Sequence, residues 1–246
     1  MSSDVPAVRE AAGNSSQPVL RSRIRDAMSW EGDSAAAVDA VRELTRYVNA
    51  PATGTSAIRE QTQDICTVGQ WRMAHGDLSA AEVASRRLHA TPLPELRGRD
   101  SVSFAQSVAL CAALLDATLA SARSPAPAAP AAIALADSLA RTFIFEVCCV
   151  EIVSDANLLL AQLWERSGNL PNALRALRRG SGRFALAPLF MSSFLREEGR
   201  VAALTGDTVG AIRAYRHYLA LRYDPGPSIR PAVERVRREL AALVGR

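Results

Sequence analysis

A recurring set of turn residues constrains this chain more than any other feature. Gly32, Gly76, Gly168 and Gly206 are followed by Asp33, Asp77, Asn169 and Asp207. Five residues beyond each glycine stands Ala37, Ala81, Ala173 or Ala211. Seven residues before each stands Arg25, Gly69, Ala161 or Gly199, three of them small. Glycine accepts the left-handed backbone that closes a helix. Asp or Asn then caps the next helix by accepting a first-turn N–H. The small residues on either side let two antiparallel helices come close. The predicted unit is a helical hairpin. The interval from Gly76 to Gly168 is about twice its neighbours, which places a degenerate hairpin at 101–141.

Apolar spacing fills in the hairpins. Val38, Val41, Leu44 and Val48 make one face of the helix after Asp33, and Pro51 and Gly54 end it. Ile65, Cys66, Val68 and Trp71 face inward from the next helix. Ser79 and Glu82 have capping-box spacing. Phe104, Val108, Cys111, Leu115 and Leu119 predict the inner face of a long helix, flanked by Leu110 and Leu114. Ser124–Pro130 reads as a stiff, non-helical linker, with a helix resuming at Ala131. Residues 142–153 have strand propensity but nothing to pair with, and are read as a buried loop or helix start. Ile229, Val233, Val236, Leu240 and Leu243 share one face of a capping helix over 227–244, with proline in its first turn.

The expected fold is all-α, an elongated stack of about five hairpins closed by that helix. Residues 1–17 read as a disordered leader and 18–246 as one helical-repeat domain. Aromatics at only 5%, with abundant Ala and Leu, agree with helices. The leader has no apolar core of a secretory signal, and no uninterrupted apolar run is long enough to cross a membrane. The four cysteines, Cys66, Cys111, Cys148 and Cys149, form no Cys-x-x-Cys pair. They read as buried thiols of a reducing, cytoplasmic compartment.

The turn glycine, the small residue before it and the alanine after it resemble the tetratricopeptide repeat family, whose period is about 34 residues. The family's helix-B aromatic is matched by Tyr215, while Leu177, Ser85 and Val41 stand there in the other copies. Its helix-A tryptophan is replaced by Leu195, Asn157, Ile65 and Arg21. The stretch from Phe194 to Leu240 also resembles C-terminal repeat regions of large bacterial signalling proteins, which carry a serine/threonine kinase or a DNA-binding domain elsewhere.

All 29 basic residues are arginine. Without lysine there is no P-loop lysine, no kinase strand lysine and no Schiff-base lysine. The three histidines, His75, His89 and His217, lack metal-ligand neighbours. Glu197 and Glu198 are adjacent on a helix and so point apart. A net charge of +4 is too small to argue for nucleic acid. No metal, cofactor or enzymatic role is expected.

The resemblance implies a protein-interaction scaffold or adaptor, with a regulatory or sensor module of a signalling system as the alternative. It also implies a peptide groove lined by the first helix of each hairpin. The family's lining positions fall on Gln63, Gln70, Asp155, Gln162, Glu165, Arg166, Arg196 and Arg200. Gln offers a peptide backbone both donor and acceptor, and Arg grips carboxylates with two bonds. The expected partner is a protein segment with acidic side chains or a free C-terminal carboxylate.

Overall fold

The computed structural model describes residues 17–25, 27–28, 34–92, 99–123, 128–143, 150–181, 191–227 and 229–245. Among them there is no strand, and the protein is all-α. Residues 1–16 of the expected leader, the turn pair Gly32 and Asp33, and residues 144–149 lie outside the described residues, while Gln17, the last leader position, is instead helical and buried because its side chain reaches Asp64.

The chain forms two compact units, Met1–Leu96 and Arg97–Arg246. The first holds α1 (17–25), α2 (Ser34–Asn49), α3 (Thr55–Ala74) and α4 (Leu78–His89). The second holds α5 (Arg99–Arg123), α6 (Ala128–Thr142), α7 (Val150–Arg166), α8 (Leu170–Ser181), α9 (Met191–Leu204), α10 (Thr208–Leu221) and α11 (Arg230–Val244). Within the first unit α2 packs on α3 and α3 on α4. Within the second, α5 packs on both α6 and α7, α6 on α7, and each later helix on the next.

The α3–α4, α7–α8 and α9–α10 turns are built alike. Gly76, Gly168 and Gly206 have φ of 81°, 79° and 82°. Each glycine N–H reaches the carbonyl three residues back, on Met73, Glu165 and Ala203. The next N–H reaches five back: Asp77 to Arg72 at 2.9 Å, Asn169 to Trp164 at 2.8 Å and Asp207 to Ala202 at 2.9 Å. These paired bonds satisfy carbonyls that a helix end leaves free. The Asp77, Asn169 and Asp207 side chains then accept from Ala80, Asn172 and Gly210 at 3.1, 3.1 and 2.9 Å. Ala37, Ala81, Ala173 and Ala211 are wholly buried, as are nearly all atoms of Gly69, Ala161 and Gly199.

Three local expectations need correction. Asp77, not Ser79, caps α4, and Ser79 sits inside the first turn donating to Asp77 at 3.0 Å. Val38 is 46% exposed because Ala37 and Ala40, with Val41, Leu44 and Val48, form the buried face of α2. Pro130 lies inside α6, which begins at Ala128. A first-turn N–H has no intrahelical acceptor, so proline removes nothing there. At 142–153 the expected helix start is found, since residues 150–153 belong to α7, and Phe143 is buried.

The inner face of α5 is as expected, with Phe104, Val108, Cys111, Leu115 and Leu119 buried. Its Val102–Arg123 stretch is on average long and apolar enough to cross a membrane, although polar residues interrupt it, and 72% of its most apolar window is buried within the fold. Val233 and Val236 of α11 pack with Leu195, Tyr215 and Tyr218, flanked by Ile229, Leu240 and Leu243. The capping face read in the sequence is therefore the face that packs.

Candidate functional site

The face shared by α7 and α9 carries five of the expected groove residues. Gln162 and Glu165 are half-buried on α7, and Arg166 is exposed at its end. Arg196 and Arg200 are half-buried on α9. The side chain of Asp155 lies outside the described residues. In the first unit Gln63 is half-buried, and Gln70 is buried with its amide 3.7 Å from Cys66 Sγ.

Two of these residues bond to each other. Arg200 Nη1 and Nη2 donate to Glu165 Oε1 and Oε2 at 2.7 and 2.6 Å. This is the bidentate match of guanidinium to carboxylate. Arg200 Nε also donates to Glu197 at 2.9 Å, and Arg196 Nε reaches Glu197 at 3.3 Å. Bonding to Arg200 holds the Glu165 carboxyl below its usual range. The same bond raises the Arg200 guanidinium above its ordinary value. Arg200 is therefore already matched by two carboxylates.

Glu197 was not anticipated as part of this face. Glu197 and Glu198 point apart, as adjacent helix positions do. Glu198 is buried towards Arg178 at 3.4 Å and Arg213 at 3.9 Å. Arg178 also bonds Asp207, the cap of α10. That bond, helped by the Gly210 N–H, lowers the Asp207 pKa. Behind Arg200, the Tyr215 hydroxyl donates to Glu239 of α11. Burial pushes the Tyr215 phenol up, and the hydrogen bond to Glu239 pushes the same way. The face thus combines charged side chains with the buried contacts that hold α9, α10 and α11.

A second buried polar cluster lies in the first unit. Arg21 of α1 pairs with Asp64 at 2.7 Å and Glu60 at 2.8 Å, and Gln17 donates to Asp64 at 2.8 Å. Asp64 is fully buried, and burial pushes its carboxyl up to about 6 against the opposing pull of Arg21. In the repeat register Arg21 stands only in place of the family's helix-A tryptophan. Its partners lie on another helix.

His75 serves the fold, with Nδ1 2.9 Å from the Trp71 carbonyl and its ring stacked on Trp71 at 4.0 Å. Among the described residues no group of three or more His, Cys, Asp or Glu could hold a metal ion. Cys66 and Cys111 are buried as expected, but each is disulfide-bonded rather than a free thiol. That removes the cysteine argument for a reducing compartment. Cys148 and Cys149 lie outside the described residues.

The described residues thus form an all-helical protein, with three alike hairpin turns among them and a charged face across two helices. No family model, curated protein or solved structure matches the chain.

Proposed function

We propose that the chain is a non-enzymatic helical-repeat scaffold of tetratricopeptide-like arrangement, which holds an extended protein segment on the α7–α9 face. One observation carries this reading. The same turn, with the same glycine, cap and buried alanine, joins α3 to α4, α7 to α8 and α9 to α10. Repeated hairpins that bury one face and leave another polar suit extended partners.

On this reading, the Glu165–Arg200 pair bears on how such a partner would be held. Glu165 already occupies both Nη groups of Arg200. An acidic side chain or C-terminal carboxylate must displace Glu165 or bind beside it, at Arg166 and Arg196. Gln162, one turn before Arg166, offers both donor and acceptor to a peptide backbone.

Affinity capture with the full chain as bait tests this, with retained proteins identified by mass spectrometry. Wild type is compared with Arg196→Glu/Arg200→Glu and with the charge swap Glu165→Arg/Arg200→Glu, each checked for helicity by circular dichroism. A partner retained by wild type and lost from the folded reversal variant is expected. The swap keeps an ion pair across the face while moving its charges, so it is expected to weaken capture as well. Equal capture by all three folded chains would remove this face as the binding surface.

A further inference from the structure

Away from the α7–α9 face, α6, α7 and α8 border a cavity of about 250 Å³. Among the described residues three guanidinium groups line it, Arg141 of α6 with Arg175 and Arg179 of α8, against one carboxylate, that of Asp137. Asp137 accepts from Arg179 at 2.6 Å and lies 3.6 Å from Arg141. Arg179 also donates to the buried Asn157 at 2.7 Å. Arg175 bonds the neutral amide of Asn172. The described lining therefore keeps a positive excess after its internal pairing.

Trp164 of α7 completes the wall. It is only 7% exposed, and its indole N–H is buried with no hydrogen-bond partner among the described residues. A buried donor without an acceptor is unfavourable, and native folds rarely leave one. Excess positive charge beside an unmet donor calls for a ligand that brings negative oxygen. A cation would be repelled, and a neutral molecule would leave the charge unanswered. The volume suits a small molecule rather than a folded partner.

We propose that this cavity binds a small oxyanion bearing a phosphate or carboxylate group. Arg141 and Arg175 supply charge-assisted bonds at the mouth, and the buried Trp164 indole N–H meets one oxygen after a small turn of its ring towards the anion. Arg179 is held by Asp137 and Asn157 and sets the shape of the site. The proposal stands independently of the peptide face, since none of these residues belongs to it.

The test is a two-dimensional proton–nitrogen spectrum of the full chain titrated with inorganic phosphate and, separately, with succinate. Sodium chloride at matched ionic strength is the control. The Trp164 indole resonance is assigned by its absence from Trp164→Phe. A saturable shift of that resonance is expected with at least one anion. Response to phosphate alone identifies a phosphoryl ligand, to succinate alone a carboxylate, and to both a site that takes either. Arg141→Gln/Arg175→Gln alters two exposed side chains. It is expected to weaken binding by about tenfold or more, the loss of at least one charge-assisted bond. A Trp164 resonance that does not saturate, that chloride shifts equally, or whose midpoint is unchanged in the double variant would overturn the proposal.

Discussion

Gly199 sits in α9 where the ring of Tyr215 crosses from α10. A Cβ at this position would lie 2.3 Å from two ring carbons, well inside contact distance. Glycine in a helix interior normally costs about 1 kcal/mol relative to alanine. Here overpacking costs about 1–3 kcal/mol, and displacing the ring also strains the Tyr215–Glu239 bond. Gly199→Ala is therefore expected to lose stability despite its better helix propensity, measured by urea denaturation. A variant as stable as wild type would mean that Tyr215 moves aside freely. Gly210 makes a useful contrast, because its Cβ would meet the side-chain ends of Asp207 and Arg178 at 2.4 and 2.6 Å. Those ends can move only by giving up the α10 cap and the Arg178–Asp207 bond, whereas a ring packed between helices cannot move at all without displacing α10.

The helix α1 is tied to α3 by charge as well as by apolar contact. Arg21 and Gln17 reach across to Asp64, and Arg21 also holds Glu60. The Asp64 carboxyl rises from 3.8 to about 6 because burial outweighs the attraction of Arg21. A raised folded-state pKa means that the folded chain binds more protons than the unfolded one between these values. The stability from the protonated form is full below the unfolded pKa and is lost as pH rises through about 6. Asp64→Asn mimics the neutral form and lacks this dependence. Its stability relative to wild type is expected to rise by up to about 3 kcal/mol between pH 4 and 7, from the size of the shift. Denaturation at several pH values checks this. Parallel profiles for the two chains would mean that Arg21 keeps Asp64 ionised throughout.

The same helices show what a sequence can and cannot tell. The α3–α4, α7–α8 and α9–α10 turns were legible because glycine, cap and alanine each act within a few residues of one another. The α2 face was misread at Val38 because alanines carry much of that face and add little to an apolar pattern. The charged networks were not legible as networks. Glu165 and Arg200 were each expected to face a partner, but they face each other across 35 positions. Arg21 and Asp64 meet across 43. Composition supplies charges, and only the packing of helices decides which of them cancel. The positive cavity beside Trp164 escaped notice for that reason, since its lining comes from three helices.

At the scale of the whole molecule, the chain depends on arginine for all its lysine-type charge and on α11 to cover apolar surface in its second unit. Its net charge of +4 gives limited repulsion between copies. Protection from association therefore rests on what the surface exposes. Tyr215 and Tyr218 are almost wholly buried in a cluster that α11 completes with Val233 and Val236. Burying two such valines contributes roughly 3–6 kcal/mol. The outer side of α11 carries the exposed Arg235, Arg237 and Arg238, so the helix replaces an apolar face with a cationic one. Truncation after Tyr223 removes the helix, bares the tyrosines and leaves Tyr215 without Glu239. Contiguous apolar surface of this kind drives association. The truncated chain is expected to self-associate in sedimentation velocity and to melt at a lower temperature than the full chain. If it stays monomeric and melts unchanged, α11 contributes nothing to the fold, and its exposed arginines become a surface to test for binding.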